Sequence, residues 1–146
     1  MGSRREGREL AVQALYQLEV TGDKAGGSLE GFWGHFQASE AARAFAMALV
    51  AGVQDDRGRI DRLIADAAEH WQVKRLSKVD VSVLRVATGE LLGCDDVPTR
   101  VAIDEAIEIA RRFGGEDSAA FVNGVLDRIA GVLGVKGRGD ERTECE

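Results

Sequence analysis

The segment Ser77-Lys78-Val79-Asp80-Val81-Ser82-Val83-Leu84-Arg85-Val86-Ala87-Thr88-Gly89-Glu90-Leu91 decides the fold class. Read alone, Val79–Val83 alternates apolar and polar residues, the two-residue period of a half-buried strand. The continuation changes period: Val83, Leu84, Ala87 and Leu91 recur at helical spacing. Ser77 and Asp80 stand three apart ahead of that run, a capping box of the kind that satisfies free amides at a helix start. The segment reads as a helix, and the chain as all-α.

Helical signals continue on both sides. Downstream, Pro98 suits the start of a helix that turns Ala102, Ile103, Ala106, Ile107 and Ala110 inward, and Gly114-Gly115 supplies its stop. Asp117 or Ser118 caps a last helix whose apolar face is Phe121 (or Val122), Val125, Leu126, Ile129 and Leu133. Upstream, Ile60, Leu63, Ile64, Ala67 and Trp71 make the clearest amphipathic stripe. Ser39 caps a helix carrying Ala42, Phe45, Ala46, Leu49 and Val53. Phe32, Trp33 and Phe36 precede it, and Gly22–Ser28 is a loop by composition. From Arg4 to Glu19, Leu10, Ala11, Ala14, Leu15 and Leu18 form one stripe. The expectation is a single all-α domain of six or seven helices over residues 1–135, with short connections favouring antiparallel neighbours. Residues 136–146, KGRGDERTECE, are charged and nearly free of apolar side chains and read as a frayed tail.

Composition narrows the function. The 146 residues carry 45% hydrophobic and 30% charged side chains, the balance of a folded domain. One proline, against roughly seven at average usage, leaves long helices uninterrupted. No apolar stretch approaches a membrane span, and Met1–Arg8 lacks the apolar core of a secretory signal. Cys94 and Cys145 make no disulfide framework, which fits a reducing cytoplasm. A net charge of −6 argues against gripping nucleic acid over the whole surface, although a local basic site can sit on an acidic body. His35 and His70 are not in metal-ligand spacing, and Cys94 has no nucleophile signature. Gly131, Gly134, Gly137 and Gly139 follow no strand, so a nucleotide-binding loop fails on context. Neither an active site, a cofactor nor a metal is expected.

Two segments carry binding chemistry. Arg4, Arg5 and Arg8 precede Gln13 and Tyr16 on the first helix. There Arg8, Val12, Arg5 and Tyr16 cover an arc of roughly 80° just outside the apolar stripe. Guanidinium forks for phosphate beside an aromatic ring are the components of single-stranded RNA recognition. The plainer alternative is a solvated face with an Arg5–Glu9 pair at i, i+4. The second segment, Phe113-Gly114-Gly115-Glu116-Asp117-Ser118, ends one helix and opens the next, where free amides attract anions. Phe121 behind it fits either the core or a base platform. Asn123, inside a helix, is an internal polar contact or a ligand-facing one.

Three stretches together resemble the NusB transcription antitermination family: RREGRELAVQALY (4–16), VDVSVLRVATGELL (79–92) and above all DVPTRVAIDEAIEIARRFGGEDSAAFVNGVLD (96–127). The likeness runs from about Arg4 to Leu133. It implies two packed helical bundles without catalytic activity. It also implies a partner, the small-subunit ribosomal protein NusE, with which the family binds the boxA element of nascent RNA. In that role the family helps RNA polymerase read through terminators, notably in ribosomal RNA operons.

Position by position, the resemblance makes Arg4, Arg5, Arg8, Gln13, Tyr16, Phe113, Asp117, Phe121 and Asn123 the expected RNA-binding set. It makes Asp80, where the family more usually shows Glu, a NusE contact. Ala119-Ala120 stands where relatives often carry a basic residue. A homodimer is an alternative assembly, and a helical scaffold that binds only proteins is the alternative function. A related helical domain begins certain RNA methyltransferases, but here only a short charged tail follows it.

Overall fold

The segment that begins with strand-like alternation is helical from Lys78 to Gly93, and the Ser77 side chain accepts a hydrogen bond from the Asp80 amide at 3.0 Å. The computed structural model describes residues 2–21, 28–69 and 76–139, with no strand among them. Among the described residues seven helices follow one another: α1 (Ser3–Thr21), α2 (Ser28–His35), α3 (Glu40–Asp55), α4 (Arg57–Ala67), α5 (Lys78–Gly93), α6 (Thr99–Phe113) and α7 (Ser118–Leu133). Ser39 caps α3 by accepting from the Ala42 amide. Of the two residues suited to cap α7, Ser118 closes the turn by accepting from the Gly115 amide, while the Asp117 side chain makes no cap bond. No helix among the described residues is long and apolar enough to cross a membrane.

The alternation at the start of α5 has a physical reason: this helix is buried nearly all round. Val83, Leu84, Val86, Ala87 and Leu91 are core residues, and Asp80, Ser82, Arg85, Thr88 and Glu90 are buried beside them. A helix enclosed on every side loses the one-sided stripe that periodicity detects. Polar groups so enclosed cost free energy unless they are bonded. Ser82 Oγ donates to the Lys78 carbonyl at 2.8 Å. Arg85 reaches Asp61 of α4 and Glu19 of α1, at 2.9 and 2.7 Å. Glu90 accepts from Arg8 of α1. Arg85 and Glu90 of α5 therefore tie its neighbours together.

Two bundles share that helix. α1 and α3 pack on each other and on α5; α6 and α7 pack on each other and on α5, with α4 against α5 and α7. α1 and α3 are tightly apposed at Gly7, where a Cβ would lie 2.9 Å from the Ala42 carbonyl oxygen and 2.9 Å from the Phe45 ring. Nearly all the expected inward residues are buried; Phe45, Leu63, Ile107 and Leu133 pack against the core from partly buried positions. Both readings of the α7 face hold, since Phe121 and Val122 are each buried.

The expected tail needs correction at its start. Gly134 ends α7 in the left-handed region, at φ 72°, and the chain then folds back. The Arg138 guanidinium donates to the carbonyls of Leu91, Cys94 and Val97, while the Arg138 carbonyl accepts from the Thr99 amide. Thr99 Oγ1 donates to the Val135 carbonyl at 2.6 Å. Residues 136–139 thus belong to the fold, because one partly buried guanidinium satisfies three carbonyls at the α5–α6 junction. The rest of the expected tail with Cys145, most of the Gly22–Ser28 loop, and His70 and Trp71 lie outside the described residues.

Candidate nucleic-acid interface

The amino end of α1 lies beside the α5–α6 junction and the first turns of α6. Arg5 makes a bidentate pair with Glu105, Nε to Oε1 at 3.0 Å and Nη2 to Oε2 at 2.7 Å. Arg4 pairs with Asp96 at 3.1 Å. The side chains of Arg4 and Arg5 remain 52% and 48% exposed, so their ion pairs sit in reach of solvent and of a ligand. Together with Gly2, Arg8, Pro98 and Val101 they line an open groove of about 370 Å³. The Arg5–Glu9 pair suggested by helical spacing does not form: Arg5 goes to Glu105 and Glu9 to Arg112, both on α6.

The Arg5 hydrogen bond holds the Glu105 carboxyl below the ordinary carboxylate range, against the opposing effect of partial burial. A carboxylate depressed in the folded state contributes stability above its unfolded pKa, and that contribution is lost as pH falls through the folded value. The Arg5–Glu105 link is therefore intact at neutral pH and releases only on acidification. In a carboxyl carbon NMR titration, Arg5→Ala is expected to move the Glu105 midpoint upward. An unmoved midpoint would show that the pair does not persist in solution.

Arg8 departs from the expectation of an open RNA contact. Its side chain is 5% exposed and that of Glu90 only 1%, with Nε and Nη2 donating to the two carboxylate oxygens at 2.8 and 2.7 Å. The guanidinium fork is committed to the Glu90 carboxylate, although Arg8 lines the same groove as Arg4 and Arg5. The helical arc placed Arg8 just outside the stripe, but α5 and α3 cover that side of α1. Phe121 is buried in the α7 core face, 8% exposed.

A second groove, of about 330 Å³, opens farther along α1. Gln13 and Tyr16 line it with Phe113 from the end of α6, Phe32 and Phe36 from α2 and the residues just after it, and Val79 from α5. Tyr16 and Phe113 are exposed, so three of the expected RNA-contacting residues are brought together here with two aromatic rings, Phe32 and Phe36, to which the sequence reading gave no role. The guanidinium of Arg112 lies 5.0 Å from the centre of the Phe113 ring and also pairs with Glu9. Asp117 and Asn123 are exposed on the turn and on α7, outside both grooves. Asp80 is 9% exposed beside Val79, and its Oδ1 has no hydrogen-bond partner among the described residues.

The residues that sequence reasoning missed are the acidic partners Asp96, Glu105 and Glu90, together with Arg112 and the α2 aromatics. Each acts across helices distant in sequence, so no local spacing signals it. Burial chiefly, then Glu90 and Asp96, raises the Cys94 thiol pKa, the opposite of what activates a nucleophile. Among the described residues no His, Cys, Asp or Glu cluster is placed to hold a metal.

Known proteins share this fold. A profile described as the NusB family matches residues 5–131. The transcription antitermination protein NusB of Geobacter sulfurreducens is 47% identical over 138 residues, covering 94% of this chain and all of the relative. The solved structure of NusB from T. maritima superposes with a TM-score of 0.79 at 40% identity, covering 97% of this chain and 96% of that one. A crystal structure of the antitermination factors NusB and NusE in complex with dsRNA has a chain of the same fold, with a TM-score of 0.77 at 23% identity, covering 90% of this chain and 98% of that one.

Proposed function

The chain belongs to the NusB family, and from that premise we propose that it is a non-enzymatic RNA-binding adaptor of transcription antitermination, acting in the cytoplasm. In this reading it takes boxA-type single-stranded RNA together with NusE and delivers both to the RNA polymerase antitermination complex. The observation that carries the proposal is the run of two open grooves along α1, one lined by arginines and the next by aromatic rings. Phosphates suit the first and unstacked bases the second. Arg4 and Arg5 are the proposed phosphate contacts. Gln13, Tyr16 and Phe113 are the proposed base contacts, with Asp117 and Asn123 as polar contacts at the edge. Asp80 is the proposed NusE contact.

Charge sets the division of labour. The body carries −6, and Arg4 and Arg5 already hold carboxylates that a phosphate must displace. RNA binding alone is therefore weak, and a basic ribosomal partner supplies the missing positive charge. A shift assay with boxA against a scrambled RNA, with and without NusE, tests this. The expected result is tighter, sequence-dependent binding when NusE is present; equal affinity with and without it would overturn the division. Arg4→Ala with Arg5→Ala should flatten the salt dependence by about 0.7 in log–log slope for each phosphate left without its arginine. An unchanged slope would remove these arginines from the RNA. Binding to NusE with no RNA binding under any condition would leave the protein-only scaffold as the function.

A further inference from the structure

We infer that Phe45 is a positioning residue that aims the exposed guanidinium of Arg4 into the groove, an inference that rests on the RNA-binding reading above. Arg4 and Arg8 lie one turn apart on α1, and α3 presents the Phe45 ring to both. Arg4 Cζ is 5.1 Å and Arg8 Cζ 5.5 Å from the ring centroid. The negative face of an aromatic ring attracts a cation at this range. Two cations at one ring repel each other, but here each has its own carboxylate, Asp96 for Arg4 and Glu90 for Arg8.

The ring itself is held. Arg8 is locked by its buried pair with Glu90, and the missing side chain at Gly7 lets Phe45 lie directly against α1. Arg4, by contrast, is half exposed in the first turn of a helix, where a long side chain loses rotamer freedom on binding. A fixed ring beneath it limits that freedom beforehand, which improves binding without a new contact to the ligand. Phe45 also packs against the core, a role an aliphatic side chain of similar size fills. The aromatic face is what distinguishes the two roles.

The test compares Phe45→Leu and Phe45→Tyr, each in the wild-type and the Arg4→Ala background, with Phe45→Met as a second aliphatic variant. Affinity for boxA RNA is read with NusE present, and thermal melting establishes that each variant folds. Loss of the ring should weaken binding about two- to fivefold, tyrosine should restore it, and the aliphatic change should add nothing once Arg4 is absent. An equal loss in both backgrounds, no loss, or failure of a folded Tyr variant to rescue would overturn the inference. A readout without RNA separates this from failure of the RNA reading itself: the Arg4 Nε–H order parameter should fall in Phe45→Leu and hold in Phe45→Tyr. Unchanged Arg4 mobility in Phe45→Leu would sink the positioning role even if RNA binds, and RNA that never binds would sink only the functional reading.

Discussion

Replacing Arg8 by Ala is expected to destabilise the protein by about 3–5 kcal/mol, because the Glu90 carboxyl would be left buried without its partner. For a chain of this size that corresponds to a fall in Tm on the order of 10 °C. Urea denaturation with linear extrapolation measures it. Replacing the pair together, Arg8→Met with Glu90→Leu, should recover most of the loss, since apolar residues of similar volume often substitute for a buried ion pair. A loss below about 1 kcal/mol for Arg8→Ala would mean that water reaches Glu90 as it reaches a surface pair. The prediction also bears on function: an Arg8 variant that fails to bind RNA has first to be shown folded.

The second large effect is at Gly7, where the usual sign reverses. Gly→Ala inside an open helix is stabilising by roughly 1 kcal/mol, because alanine has the higher helix propensity. At Gly52 on α3 a Cβ meets nothing within 4 Å, so the ordinary gain is expected there. At Gly7 the same methyl group would press on the Ala42 carbonyl and the Phe45 ring, both at 2.9 Å. Overpacking of this kind costs about 1–3 kcal/mol, so Gly7→Ala should destabilise and Gly52→Ala should not. Parallel melting curves of the two variants decide it, and equal shifts would show that α1 and α3 are less closely apposed.

Most of the fold was legible because its helices have one apolar face and recognisable ends. Ser39 and Ser77 cap where their side chains indicated, and the expected stripes on α1, α3, α6 and α7 face inward. The site was legible in part. Arg4, Arg5, Arg8, Gln13, Tyr16 and Phe113 line grooves, although Arg8 is buried there, and Phe121 is enclosed in the core. An arginine just outside an apolar stripe looks solvated from one helix alone. Whether it is buried depends on a carboxylate 82 residues away, Glu90, which no local pattern reveals. Residues 136–139 misled for a related reason: charged, glycine-containing sequence reads as loose until three carbonyls turn out to need Arg138.

Because α5 touches both bundles on nearly every face, neither bundle can come apart and leave the other with a covered surface. Its amides should therefore exchange with solvent deuterium only through complete opening, making that one helix the gauge of global free energy. Unfolding should follow a single sigmoid whether circular dichroism or tryptophan fluorescence reports it.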